Sequence, residues 1–313
     1  MAPGPSPRDL DTRLVLGVIV LVAMLIGLNF TVLKFALDHT TPFLLAGMRT
    51  VIGSTVLICL ALARGERFPG RVADYANIFA VGFSITTVSS GLLVFGVDKV
   101  PAGVASLLAS TMPLFTAALT VLLLGNAVSR LGAVGLAVGF GGTVVLASPS
   151  MSGSAATVGI IALTCSALAW AFGNVYMKWK DFSRVSPIML VGVQLAMSAA
   201  VLIPFALLVE GTGETDWSTG LLWPLLYAAV PANAVTFALL ATVATRATPT
   251  QAAASAYLIP IFGVTFGAIF RDERPGVIEL IGGLLVVAGV YLVVTSAAKA
   301  ASRAEPAPAE VEA

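Results

Sequence analysis

The residue in this sequence best suited to chemistry is Arg49, a guanidinium set in a long apolar stretch, about 10 Å below a predicted helix end at the helical rise per residue. An arginine held in hydrocarbon marks a functional site unless it snorkels outward or bonds the carbonyls of a helix end. Asn29, Asn174 and Asn233 carry carboxamides into similar surroundings, where each needs partners: a solute, or another helix. Thr86, Ser90, Ser110, Trp170, Phe237 and Tyr257 add hydroxyls and aromatic faces to apolar segments. These groups suit hydrogen bonding to an amphipathic or zwitterionic solute such as an amino acid, or cation–π contact with an aromatic cation. They do not suit covalent catalysis. The single histidine, His39, lies near a helix end, and Cys59 and Cys165 sit in apolar runs, read as small packing residues. An intramembrane enzyme would need a buried His/Asp, Ser/Lys or metal constellation, and the sequence offers none. Asp38, Asp98, Glu210 and Glu279 fall at or near helix ends, so proton antiport through a mid-membrane carboxylate has little support; facilitated movement or exchange stands beside it. No cluster of Lys and Arg faces the interior to hold a phosphorylated solute. Gly139-Phe140-Gly141-Gly142 has no strand–turn–helix context and no G-x-x-x-x-G-K loop occurs, so no nucleotide or other cofactor is expected.

Those residues are embedded in a chain built for lipid. Charged residues make up 11% and hydrophobic residues 58% of the sequence, against roughly 25% charged in soluble domains, and mean hydropathy is +0.98. The net charge of +1 provides no footprint for nucleic acid. A bilayer core needs roughly 20 apolar residues per helix. Breaks at charge clusters and Pro/Gly turns predict ten spans, near 14–35, 42–62, 76–97, 101–125, 130–148, 157–178, 187–209, 221–245, 248–270 and 276–297. The first run lacks a small-x-small cleavage site and is read as a permanent helix rather than a signal peptide. Segments 1–13 and 298–313 read as disordered tails. With the N-terminus inside, twelve Lys and Arg face the cytoplasm (among them Arg8, Arg13, Arg246, Lys299 and Arg303) and four, Lys34, Lys99, Arg271 and Arg274, face out. The acidic residues Glu210, Glu214 and Asp216 then lie outside.

The two halves repeat. A shift of 145 residues lays Asn29 on Asn174, Pro42 on Pro187 and Gly47 on Gly192. A shift of 147 lays Pro113 on Pro260, Phe115 on Phe262, Gly135 on Gly282 and Gly142 on Gly289. Five helices per unit invert the second unit in the membrane, giving repeats over 14–148 and 157–297, an architecture of many secondary transporters. Proline removes an N–H and strands the carbonyl four residues earlier. Pro113 and Pro260, and Pro231 in the eighth span, therefore mark helix breaks beside Ser110, Tyr257 and Asn233, which either line a cavity or serve packing. Asn29 and Asn174, each near a glycine, are candidates for two gates, with Arg49 supporting one. Small-residue stripes through Gly135, Gly139 and Gly142, and through Gly282 and Gly289, read as close-packing surfaces that could serve a homodimer.

The runs Ile26-Gly27-Leu28-Asn29-Phe30 and Trp170-Ala171-Phe172-Gly173-Asn174 resemble the paired signatures of EamA-type proteins of the drug/metabolite transporter superfamily. Arg49, the segment from Pro101 through Ser106 to Pro113, the turn Arg271-Asp272-Glu273-Arg274 and the glycine-rich last helix of each half extend the resemblance over roughly 14–297. One departure is Asn126, where Glu273 keeps the family's acidic residue in the other half. The resemblance implies ten helices in inverted five-helix repeats with cytoplasmic termini, in a bacterial inner or plasma membrane. It implies export of a small metabolite; the helix breaks and depth place Trp170, Tyr257, Ser110, Asn233, Phe237 and Thr86 toward the solute. A non-transporting sensor or assembly partner is the other reading.

Overall fold

The computed structural model describes residues 7–125, 129–149, 153–211, 215–243 and 249–304, and side chains within 14–240 and 256–297 of these. Asn126, Glu214 and Arg246, and the side chains of Arg8, Arg13, Lys299 and Arg303, lie outside the described residues. The described chain is all-helical: α1 (Pro7–Leu37), α2 (Pro42–Ala63), α3 (Val72–Gly82), α4 (Ser89–Lys99), α5 (Ala102–Ala109), α6 (Met112–Leu124), α7 (Arg130–Ala147), α8 (Ser154–Trp179), α9 (Pro187–Val209), α10 (Thr219–Ala229), α11 (Thr236–Val243), α12 (Pro249–Arg271) and α13 (Val277–Ala304). Among the described residues, nine stretches are long and apolar enough to cross a membrane; α3–α4, α5–α6 and α10–α11 each form one of them. The chain is a multi-pass membrane protein.

Local chemistry sets the boundaries. Pro42 and Pro187 open α2 and α9, where a missing N–H costs nothing because the first turn has no intrahelical acceptor for it. Ser129 and Ser186 accept from Gly132 N (3.1 Å) and Met189 N (3.2 Å) as N-caps of α7 and α9. Gly65 and Gly211, with φ of 76° and 70°, turn the chain away after α2 and α9, a left-handed backbone that glycine adopts without Cβ strain.

Helix breaks are real, but not all where proline predicts them. Pro113 does interrupt its span: α5 ends at Ala109, Ser110 and Thr111 turn, and α6 starts at Met112. Pro260 does not, because α12 runs unbroken from Pro249 to Arg271 around it. The matched pair of irregularities lies elsewhere, in π-helical turns at Phe83–Val88 and Val230–Val235. They sit 147 residues apart, the repeat shift, though only the second contains a proline, Pro231. A π-turn widens the backbone ring and frees carbonyls, and side chains take these up. Ser198 Oγ donates to Gly82 O (3.1 Å), and Thr236 Oγ1 donates to Pro231 O (3.0 Å).

The halves interlock instead of folding side by side. The most extensive helix contacts, α7 with α13, α2 with α9, α1 with α12 and α4 with α8, all cross between the halves. Glycine permits this. A Cβ on Gly135 would lie 2.8 Å from Leu292 Cβ and 2.9 Å from Gly289 O, and one on Gly142 would lie 2.7 Å from Leu285 Cβ. The stripes read as a possible homodimer surface are thus consumed by α7 packing on α13 within one chain, which removes them as a dimer contact. Gly27 and Gly173 let α1 reach α12 and α8 reach the first π-turn; added Cβ atoms would sit 2.9 Å from Ile259 O and from Ile85 Cδ1. Cys59 and Cys165 are free and exposed on the bundle surface, not packed inside it as their apolar runs suggested.

Candidate functional site

Between the halves lies a cavity of about 1140 Å³. Its lining repeats with the sequence. Thr86 and Asn233, one on each π-turn, are 147 residues apart, as are Ser90 and Phe237 just beyond them; Asn29 and Asn174 are 145 apart. Each of these side chains lines the cavity, with Trp170, Ser110, Pro113 and Arg49. The π-turns explain how: an extra residue in a turn rotates the helix beyond it, so polar groups of otherwise apolar helices face inward.

The buried floor is polar. Arg49, Thr86, Ser90 and Ser110 are all buried. Arg49 donates through Nη2 to Ser90 Oγ. Gln194 Nε2 donates to Thr86 Oγ1 at 2.6 Å, tying α9 to the first π-turn. Ser110 Oγ turns back to Ser106 O (2.8 Å), which satisfies a carbonyl beside the break at Pro113. Nearer the other end the lining becomes exposed, at Ser129, Lys178 and Ala297. Lys178 lies in the last turn of α8 and Ser129 caps α7, so the cavity reaches that end of the bundle.

The opposite end is closed by bonds between loops and helix starts. Glu210, just past α9, accepts from Phe43 N (3.0 Å) and Leu44 N (3.0 Å) at the start of α2. Glu273 accepts from Ala102 N (2.7 Å) and Gly103 N (3.0 Å) at the start of α5. Each carboxylate meets orphan N–H groups at a helix N-terminus, where backbone dipoles favour negative charge. Beside them Arg271 pairs with Asp38 (2.6 Å), His39 meets Asp216 (3.3 Å), and Lys34 donates to Asp98 O (3.4 Å).

One residue predicted to face the solute lies outside the site. Tyr257 does not line the cavity; its ring packs 5.8 Å from Tyr291 of α13, and its hydroxyl is buried without a partner. Because α12 continues through Pro260, no break turns Tyr257 inward as the break at Pro113 frees Ser110. Pro260 and Pro231 are likewise absent from the lining. Sequence reasoning missed Lys178, Gln194 and the capping role of Glu210. Of these, only Gln194, an amide in an apolar helix, carried a local signal.

A bundle of membrane-spanning helices, interlocked around one polar-floored cavity that reaches one end, has the form of a protein that handles small solutes in a bilayer. The model of the EamA-like transporter family matches residues 13–148 and again 157–295, and the chain belongs to that family. It is 30% identical over 275 residues to the uncharacterized transporter YvbV of Bacillus subtilis, covering 88% of this chain and 89% of that one. It is 26% identical to a probable amino-acid metabolite efflux pump of Escherichia coli, covering 88% and 93% of the two chains. A solved crystal structure shares the fold with a TM-score of 0.63 at 20% identity, covering 92% of this chain and 98% of that one.

Proposed function

We propose that this chain is a secondary transporter that exports a small amphipathic or aromatic metabolite, such as an amino acid or a similar solute, from a bacterial cell by alternating access across the inner membrane. It crosses the membrane ten times, as two inverted five-helix repeats with both termini in the cytoplasm. The family match over each half, the π-turns 147 residues apart and the charge bias of the loops support that arrangement. The tenth span is α12, whose 23 residues are enough to cross. The observation that carries the transport reading is the cavity itself, lined from both halves, closed at the Glu210–Glu273 end and reaching the bundle end at Ser129 and Lys178. In this orientation its mouth faces the cytoplasm, where an exporter takes up its load. A non-transporting sensor would do as well with a filled interior, and this interior is not filled. No carboxylate or histidine among the described residues lines the cavity, so movement is driven by the solute's own gradient or by exchange.

Counterflow tests this. Proteoliposomes loaded with each of a panel of amino acids and aromatic metabolites should accumulate the labelled form of one of them, and accumulation should persist when an uncoupler collapses the proton gradient. Counterflow abolished by the uncoupler would contradict the coupling, and none across the panel would contradict the solute class.

A further inference from the structure

Arg49 lines the cavity at its closed end with its guanidinium only partly bonded. It is 8% exposed, one Nη donates to Ser90, and its Nε is buried with no partner. None of the ion pairs among the described residues includes it: these are His39–Asp216, Lys99–Asp98 and Arg271–Asp38. A buried, uncompensated guanidinium is costly unless an anion completes its bonds. The second cation on the lining, Lys178, stands at the mouth, and no described Asp or Glu lines the space between. The buried lining acceptor without a partner is Asn29 Oδ1; it takes an N–H or O–H but neutralises no charge.

We infer that Arg49 is the binding site for a carboxylate on the transported solute, and that the solute carries net negative charge. Resting on the transport reading above, this narrows the solute within that class to an organic monocarboxylate with an apolar body, and sets aside both the zwitterionic amino acids and the aromatic cations that the same side chains would otherwise suit. Guanidinium presents paired N–H donors to a carboxylate, and Lys178 at the entrance draws the same charge inward. Among the described residues the lining offers no anionic partner to the ammonium of an amine or a zwitterion.

The test is isothermal titration calorimetry on the full chain in nanodiscs of neutral lipid. The probes are 3-phenylpropionate, its amide, 3-phenylpropylamine and phenylalanine. The acid should bind at least about 10-fold more tightly than the others, the scale of one charge-assisted hydrogen bond. Arg49→Gln should reduce the acid-to-amide preference to about one while amide binding survives, and Arg49→Lys, which keeps the charge but not the paired donors, should retain only part of the preference. If Arg49→Gln does not fold, wild type and Arg49→Lys still decide. Equal binding of acid and amide, tight binding of the amine or of phenylalanine, or no binding of the acid would overturn the inference. So would loss of acid binding when phosphatidylglycerol replaces neutral lipid, since the anion held would then be a lipid headgroup. The titration does not depend on movement. Acid binding without counterflow would defeat the transport reading and leave the carboxylate site standing.

Discussion

Glu210 and Glu273 close the cavity by satisfying backbone N–H groups of helices in the opposite half, and comparing magnitudes ranks them against the ion pair nearby. Charge-assisted hydrogen bonds contribute about 1.5–3 kcal/mol each, whereas an exposed pair such as Asp38–Arg271 contributes about 0–1 kcal/mol. The closed end is therefore held mainly by two carboxylates and trimmed by the pairs around them. Thermal unfolding of the purified protein should rank Glu273→Ala well below Asp38→Ala in midpoint. Equal midpoints would mean that the caps add no more than the exposed pair. The same comparison explains why Arg49 was conspicuous in the sequence and the caps were not. An arginine in an apolar run is an anomaly at its own position, but a glutamate after a helix end looks like any solvated loop residue until the opposite half is placed against it.

At the scale of the element, glycine positions decide how closely the helices approach. A leucine at Gly282 or Gly135 would push its side chain into the backbone of α7 or α13, where an added Cβ already falls within 3 Å of Leu146 or Leu292. Overpacking of this kind costs about 1–3 kcal/mol or more, so both variants should lower the yield of monodisperse protein in gel filtration. Trp170→Ala, on the cavity wall, should leave that yield near wild type and change solute affinity instead. Normal yield of Gly282→Leu would contradict the α7–α13 packing. These glycine stripes were legible in the sequence, but their use was not, because a small-residue face fits a second copy as well as a helix of the same chain. The breaks were half legible. Pro113 breaks its helix and Pro260 does not, since a proline within a span can be absorbed by neighbouring groups. Phe83–Val88 contains no proline or glycine, so its π-turn left no local mark; only the repeat, read from Val230–Val235, points to it. Tyr257 was misassigned for the same reason. In helices apolar all round, the inward face cannot be read from periodicity.

For the whole molecule, the most extensive helix contacts join one half to the other. The family, the membrane character and a minority of the cavity lining, its polar groups such as Asn29, Thr86, Asn174 and Asn233, were legible, because polar residues stand out in an apolar chain. Which end is closed was not, since that depends on contacts across the halves. The most direct test is cysteine accessibility in a background with Cys59 and Cys165 replaced by alanine. Ser110→Cys, on the cavity wall near mid-depth, should react with a membrane-impermeant maleimide added from the cytoplasmic side of sealed vesicles. It should become reactive from the other side once Asp38→Asn and Glu210→Gln loosen the closed end. Labelling of Ser110→Cys from neither side in either background would contradict a cavity that opens alternately to the two faces of the membrane.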